Sequence, residues 1–263
     1  MKGQKVLFFD IDGTIISEVN YQIPESTKRA LKKAKENGHK IIINTGRTRS
    51  VIDKDVEDMD FDGYICGCGT YVEIDGEVLY YKTIDKSKYP GIINILKENE
   101  MDTILEGKDA IFMDFESEDR VMRQKIENFL GMGLPVKPFS SDDISFDKFF
   151  SIMKKMDNFK EIVDYFESQG LEYIDRGENT IEVVPKDHSK ATGMEILLKY
   201  LNLNKEDSYA FGDSYNDISM FEYCPNGVLM GNGKKDLFNK VKFVTKDVDE
   251  DGIEYALKHF NIV

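Results

Sequence analysis

The sequence predicts an α/β fold, in which a doubly wound parallel sheet is interrupted by an inserted α+β domain. Continuous apolar runs such as "KVLFF" and "KIIIN" are typical of strands buried on both faces of a parallel sheet. These runs alternate with helical patterns, as in βαβ units. The alternation stops near residue 83 and returns near residue 187, so we expect one domain over 1–82 and 187–263 and a second over 83–186.

The first section contains strands, one helix and a hairpin. A helix is predicted over Pro24–Gly38, because proline stands near its start and glycine just past its end. Its apolar stripe consists of Ala30, Leu31 and Ala34. "DGYICGCG" reads as a third strand, and "YVEIDGEVLYYK" as a hairpin with Asp75 and Gly76 in its turn.

The inserted section has helical patterns in "SKYPGIINILKENE", "SEDRVMRQKIENFLG" and "NFKEIVDYFESQG", and strand patterns in "AIFMDF", "KFFSIMKK" and "NTIEVVP". The first pattern then resumes with a helix near Lys190–Leu203, a strand at "SYAFGD" and a helix at Asn216–Glu222. Strands at "NGVLMG" and "KFVT" follow, and a helix from about Asp251 closes the chain.

Charge and composition exclude several classes of protein. The formal net charge of −14 at pH 7 argues against a nucleic-acid partner, because a polyanion would be repelled. No apolar stretch approaches the roughly 20 residues that span a bilayer, and the N-terminus lacks a signal-peptide pattern. We therefore expect a cytoplasmic protein with no membrane partner, and a monomer by default. Cys66, Cys68 and Cys224 have no histidine or fourth thiol suitably spaced for a zinc site, which favours buried thiols.

Four polar clusters follow strands or open a helix, in the order "DIDGT", "NTGR", "HSKATG" and "GDSYND". Ligands of such sheets bind beyond the carboxyl ends of the strands, where all four clusters can converge. Each cluster alone has an ordinary explanation as a turn, a helix cap or a surface side chain. The functional interpretation depends on all four occurring together.

The clusters bring several carboxylates toward one crevice. Asp10 and Asp12 lie two residues apart, so strand alternation would turn both to the same side, and Asp213 and Asp217 would arrive nearby. Close carboxylates repel unless a cation intervenes, and oxygen ligands without cysteine or histidine suit Mg²⁺.

Other groups in the same clusters can bind an anion. Lys190, Thr45 and the N–H groups of Gly13 and Gly46 supply donors. This combination predicts a phosphate site with a carboxylate able to attack phosphorus and a second carboxylate for proton transfer.

"FFDIDGTI", "INTGR", "HSKATG" and "AFGDSYNDISMF" resemble, in order, the four motifs of haloacid dehalogenase-like phosphatases. The insertion between the second and third motifs, and the terminal stretch from "VLMGNGKKDL", resemble the Cof-type branch with the larger cap domain. The resemblance implies a Rossmann-like core with a cap, and Mg²⁺-dependent hydrolysis of small phosphorylated metabolites, sugar phosphates above all, through a phosphoaspartate.

The same resemblance implies a role for each matching residue. Asp10 would attack phosphorus, and Asp12 would protonate the leaving alcohol and then help to deprotonate water. Mg²⁺ would be held by the carboxylates of Asp10 and Asp213 and by the backbone carbonyl of Asp12. The phosphate would be bound by Thr45, Gly46, Lys190 and Asn216. Asp217 would orient Lys190 or stand behind the metal, and Thr14 is expected in the same supporting layer.

"GCGT" and "GNG" depart from the family's usual Asn-Gly-Ala and Gly-Asn-Ala, and the first departure affects the expected wall of the crevice. A phosphomutase or other phosphotransferase using the same aspartyl phosphate stays open as an alternative, as does a non-catalytic phosphate-binding protein. A receiver domain is disfavoured by its shorter length and by the presence of Asp12. Arg176, Asn179 and Glu182 are candidates to face the substrate, although the position of each is more typical of a solvated residue.

Overall fold

The structure, a computed structural model, describes residues 3–263. The chain divides into two compact units. The first consists of the residues up to Gly46, Asp53–Tyr80 and Ser189–Val263, and the second of Arg47–Ile52 and Tyr81–His188. The short segment Arg47–Ile52 thus groups with the second unit, although only two residues separate it from a strand of the first.

The strands are β1 (Val6–Phe9), β2 (Lys40–Asn44), β3 (Gly63–Cys66), β4 (Tyr71–Ile74), β5 (Glu77–Tyr81), β6 (Asp102–Glu106), β7 (Ile111–Met113), β8 (Val136–Pro138), β9 (Lys148–Ile152), β10 (Leu171–Gly177), β11 (Thr180–Pro185), β12 (Ser208–Gly212), β13 (Gly227–Leu229) and β14 (Phe243–Val244). The α-helices are α1 (Glu25–Glu36), α2 (Lys54–Glu57), α3 (Tyr89–Glu98), α4 (Arg120–Gly131), α5 (Phe159–Ser168), α6 (Lys190–Tyr200), α7 (Ile218–Tyr223) and α8 (Gly252–His259).

The first unit is built on an eight-stranded sheet in the order β14-β13-β12-β1-β2-β3-β4-β5. The strands from β14 to β3 pair in parallel, and β4 runs antiparallel to β3. The side chains of β1 alternate between the two faces of the sheet, and every one of them is buried. Helices α6 and α7 pack on the face that presents Val6 and Phe8. These features confirm the predicted α/β fold.

Strand order brings three chain segments to one edge of this sheet. β1 lies between β2 and β12, and Phe9 at its end stands opposite Ile43 on one side and Phe211 on the other. The residues that follow these three strands therefore meet at the carboxyl edge. The predicted hairpin is also present, and its turn residues Asp75 and Gly76 have φ of 49° and 80°, as a two-residue primed turn requires.

The second unit contains a six-stranded sheet in the order β10-β11-β9-β6-β7-β8. Its pairs are antiparallel except for β7 with β8. Its core combines residues of α3, α5 and the sheet, including Leu96, Phe149 and Phe166. β6, β8 and β10 were not predicted from the sequence, because β8 has only three residues, charged residues stand at both ends of β6, and charged side chains interrupt the apolar pattern of β10.

Two predicted helices have different limits in the structure. The helix expected to reach Leu203 ends at Tyr200, and the one expected over Asn216–Glu222 begins as a 3₁₀ turn at Tyr215–Asp217 before α7. All three cysteines are buried, as expected. Within residues 3–263, none of the helices combines the length and the apolar character that crossing a bilayer demands.

Candidate active site

Asp10 lies immediately after β1 and is 3% exposed. Its backbone N–H donates to the carbonyl of Phe211 at 2.9 Å, which fixes it against β12. Its Oδ1 lies 2.7 Å from the Nζ of Lys190. Burial raises the pKa of the Asp10 carboxyl to about 7, and the charge of Lys190 partly opposes that rise.

Lys190 is the first residue of α6, and its side chain is fully buried. The preceding Ser189 caps the helix, since its hydroxyl accepts from the N–H of Thr192 while the hydroxyl of Thr192 accepts from the N–H of Ser189. The ammonium contacts Asp10 and also Oδ1 of Asp217, at 2.5 Å. Burial alone would lower the pKa of Lys190, but the two carboxylates outweigh it and raise that pKa, which favours the charged form of the side chain.

Asp217 uses both of its carboxylate oxygens. Oδ1 accepts from Lys190, and Oδ2 accepts from the backbone N–H groups of Asp213 at 2.9 Å and Ser214 at 3.0 Å. This close approach requires Gly212, because a Cβ atom there would lie 2.4 Å from the Cγ of Asp217. The sequence thus places glycine where the strand must pass the carboxylate.

Asp213 completes a group of three carboxylates. One oxygen of each of Asp10, Asp213 and Asp217 lies within 4.8 Å of the others. The Oδ1 of Asp213 is buried and has no hydrogen-bond partner among residues 3–263. Burial, with the charges of Asp10 and Asp217, raises the pKa of Asp213 to about 8. An orphaned buried oxygen among clustered carboxylates, without nitrogen or sulfur ligands in the group, fits a hard divalent cation such as Mg²⁺.

A tight turn after Asp10 holds Gly13 against Asp213. Gly13 has φ of +71°, and a Cβ atom on it would lie 2.6 Å from the Oδ2 of Asp213. Asn232 donates from Nδ2 to the carbonyl of Gly13 at 2.8 Å and accepts from the N–H of Val248 at 2.9 Å. Asn232 lies in "GNG", and its role was not predicted from the sequence, because the carbonyl to which it donates lies 219 residues away along the chain.

Asp12 belongs to this turn and is exposed. β1 ends at Phe9, so the strand alternation used to place Asp12 beside Asp10 does not apply. The carboxylate of Asp12 is not one of the three clustered carboxylates. Its charge nevertheless contributes to raising the pKa of Asp10, although less than burial and Asp217 do.

The other residues predicted to bind the phosphate or to support the site are buried or half-buried. Thr45 and Gly46 are buried directly after β2, and the Thr45 carbonyl accepts from the N–H of Cys68 at 3.2 Å. Asn216 is half-buried, and its Oδ1 accepts from the hydroxyl of Ser214 at 2.6 Å. Thr14 is buried, and its hydroxyl has no hydrogen-bond partner within the described chain.

The three candidates in the second unit differ in exposure. Arg176 and Asn179 are exposed, as expected for solvated residues. Glu182 was expected to be more typically solvated, and this was wrong, because it is 1% exposed on β11. Its carboxylate pairs with the buried ammonium of Lys148 and with the Nε of Arg176, at 3.1 Å for the latter. The alternating strand pattern did not reveal that an ion pair would be buried there.

Comparisons with known proteins agree with this arrangement. The family model described as haloacid dehalogenase-like hydrolase matches residues 7–257. A Bacillus subtilis protein named "Putative phosphatase YkrA" is 30% identical, over 98% of each chain. The B. subtilis protein named 5-amino-6-(5-phospho-D-ribitylamino)uracil phosphatase YwtE is 24% identical over 96% of each chain.

Among solved structures, that of BT4131, described as a haloacid dehalogenase subclass IIB sugar phosphatase, is 29% identical to the chain. The two structures superimpose with a TM-score of 0.84. The superposition covers 98% of this chain and all of the other.

Proposed function

Because the chain belongs to the haloacid dehalogenase-like hydrolases, whose model spans residues 7–257, we propose that it is a Mg²⁺-dependent phosphatase of small phosphorylated metabolites. Two of its relatives, YkrA and YwtE, and its structural neighbour BT4131 are named as phosphatases, YkrA as a putative one. The observation that carries the proposal is the position of Lys190, whose buried ammonium touches Asp10 and Asp217 beside the unpartnered oxygen of Asp213. In such a cluster, a carboxylate can attack phosphorus, and the buried cation can offset the negative charge of the phosphate.

In the first step, a carboxylate oxygen of Asp10 attacks phosphorus and the bond to the ester oxygen breaks. The leaving alkoxide takes a proton from Asp12, so an alcohol departs and Asp10 carries the phosphoryl group. In the second step, water attacks that phosphorus while Asp12 accepts a proton from the water. The acyl-phosphate bond breaks, inorganic phosphate leaves, and the Asp10 carboxylate is restored.

Lys190 serves this chemistry in two ways. Its charge opposes the effect of burial on Asp10, which favours the ionised, nucleophilic form of that carboxylate. The ammonium has three donors, of which two meet Asp10 and Asp217, and the third would bind a phosphate oxygen. Asp217 holds the ammonium in place, because its own carboxylate is fixed by two backbone N–H groups.

The carboxylates of Asp10 and Asp213, together with the backbone carbonyl of Asp12, would hold Mg²⁺. The ion, when bound, supplies positive charge that offsets the carboxylates and the phosphoryl oxygens. Thr14 and Asp217 would not bind the ion directly but would help to position the residues that do. Thr45, Gly46 and Asn216 would bind the phosphate with Lys190 and orient it toward Asp10.

Sugar phosphates are the proposed substrate class. The support is the sugar phosphatase BT4131, which resembles this chain over its full length, and the name of YwtE, whose substrate carries phosphate on a ribityl chain. Both substrates place the phosphate on a polyhydroxylated carbon chain. The cytoplasmic location, the monomeric state and the assignment of the second unit as a cap stay predictions.

The proposal is tested by release of inorganic phosphate from a panel of sugar phosphates, sugar-alcohol phosphates, nucleotides and pyridoxal phosphate. Each compound is assayed with Mg²⁺ and with EDTA. We expect Mg²⁺-dependent release, strongest with a sugar or sugar-alcohol phosphate. If no compound releases phosphate while Asp10 still becomes phosphorylated, the protein is a mutase or a phosphoryl carrier; if neither occurs, the enzymatic proposal fails.

A further inference from the structure

Asn44, the last residue of β2, is fully buried beside the candidate active site. Its side-chain Nδ2 donates to the backbone carbonyl of Lys190 at 3.2 Å and lies 3.7 Å from the Sδ of Met220. The next residue in the chain is Thr45. One side chain thus connects the strand end that leads into the proposed phosphate loop with the backbone of the lysine.

The other end of this amide is not satisfied. The Oδ1 of Asn44 is buried and has no hydrogen-bond partner among residues 3–263. A buried polar oxygen without a partner destabilises a fold, and an apolar side chain of similar size would remove that penalty. Fold stability alone therefore does not account for asparagine at this position, whereas its contact with Lys190 offers a reason.

The position of the Lys190 backbone affects the site, because the ammonium of Lys190 is held by two carboxylates and has little room to adjust. Nζ meets Asp10 at 2.7 Å and Asp217 at 2.5 Å in a fully buried setting. The start of α6 is held on another side by the loop after β3, where a Cβ atom on Gly69 would lie 2.2 Å from the carbonyl of Ser189. Asn44 adds a hydrogen bond from the strand that precedes Thr45.

We infer that Asn44 is a positioning residue, whose amide fixes the backbone of Lys190 relative to Thr45 so that both bind the same phosphate in register. The inference rests on the proposed function, in which Lys190 and Thr45 hold the transferring phosphoryl group. Asn44 itself does not touch the reacting atoms. Its contribution is to set the spacing between Lys190 and Thr45, which bind the phosphate.

The test is Asn44→Leu, which keeps the four heavy atoms and the branching of the side chain and removes the donor. We expect kcat per folded molecule to fall by roughly 10- to 100-fold, since a displacement of about 1 Å has effects of this size. The inhibition constant of inorganic phosphate should rise several-fold, while the melting temperature stays equal to that of the wild type or increases. A purely structural residue would show the reverse, with lower stability and unchanged kcat and phosphate affinity.

Asn226→Leu is the matched control. Asn226 is also buried in the first unit, but its Nδ2 donates to the carbonyl of Ser208 at 2.8 Å, at the opposite end of β12 from the site and about 13 Å along that strand. This variant should lower the melting temperature and leave kcat per folded molecule unchanged.

If Asn44→Leu does not fold, Asn44→Ala is measured in the same way, because it also lacks the donor. Wild-type kcat and phosphate inhibition in the folded variant would overturn the inference and leave the proposed function standing. If the wild-type enzyme itself released no phosphate from any substrate, the proposed function would fail, and the inference with it.

Discussion

The ammonium of Lys190 lies 2.5 Å from the Oδ1 of Asp217, and neither side chain is exposed to solvent. A buried ion pair of this kind adds little net stability, because desolvation of both charges opposes their attraction. Its geometry serves another purpose, since two backbone N–H groups hold Asp217 and Asp217 holds the lysine. The lysine is thereby presented to Asp10 as a fixed cation.

Asp10→Asn should abolish turnover while the fold is retained. The amide has the shape of the carboxylate, but it is a poor nucleophile and cannot form the phosphoaspartate. Lys190 keeps Asp217 as a charged partner in this variant, which preserves the buried ion pair. The measurement is phosphate release with Mg²⁺ and the best substrate, with circular dichroism as the check on folding. Near-normal activity would show that Asp10 is not the nucleophile.

Asp12→Asn should slow hydrolysis of a sugar phosphate by roughly 10²- to 10⁴-fold, the usual effect of removing a general acid or base. With p-nitrophenyl phosphate, the leaving group needs no proton, so the first step should persist. We expect a burst of about one p-nitrophenol per enzyme. Slow turnover should follow, because hydrolysis of the phosphoaspartate lacks its general base. A loss of less than a few-fold with the sugar phosphate would mean that another residue transfers the proton.

Much of the site follows from local sequence patterns combined with one rule of sheet topology. The apolar strand β1 and the polar residues after it are visible in the sequence, and parallel neighbours must end at the same edge. The structure does bring Asp10, Lys190, Asp213 and Asp217 together at that edge. The catalytic roles of these residues stay predictions.

Other features depend on contacts between residues that are distant in the chain. The partner of Asn44 is 146 residues away, and that of Asn232 is 219 residues away, so neither residue carries a local signal of its function. Glu182 looks like a solvated strand residue until Lys148 is placed on the neighbouring strand β9. In each case, the position of the polar side chain is explained by a partner that only the tertiary structure supplies.

The stability of the metal-free enzyme should fall as the pH rises from about 4 to about 8. The pKa values of Asp10 and Asp213 are raised by burial to about 7 and about 8 in the folded state, against 3.8 for an ordinary aspartate. In this range the folded protein therefore binds more protons than the unfolded chain, which makes the slope of stability against pH negative. The measurement is the melting temperature in EDTA across the range.

Mg²⁺ should reverse this trend, because it binds the ionised carboxylates and displaces their protons. The rise in melting temperature on adding Mg²⁺ should be larger at about pH 8 than at about pH 6. Ca²⁺ offers a comparison ion with the same charge and oxygen preference. A stabilisation by Mg²⁺ that is equal at both pH values would argue against binding at Asp10 and Asp213.

Gly13→Ala should weaken Mg²⁺ binding and activity together, and Gly76→Ala is its matched control. Both glycines have positive φ, +71° and +80°, so alanine strains the backbone by about 1 kcal/mol at either position. A Cβ atom at Gly13 would lie 2.6 Å from the Oδ2 of Asp213, whereas one at Gly76 would have no atom of residues 3–263 within 4 Å apart from its own residue and the two adjacent ones. The new methyl group must therefore displace Asp213 in the first variant alone.

The Mg²⁺ concentration that gives half-maximal activity should accordingly rise at least 10-fold in Gly13→Ala and stay unchanged in Gly76→Ala, while both variants lose similar backbone stability. Since the strain is shared, any difference between the two variants reports on Asp213 and not on the left-handed conformation. Equal Mg²⁺ dependence in the two would show that Asp213 can move without loss of the metal site, and would remove the main structural support for its role as a ligand.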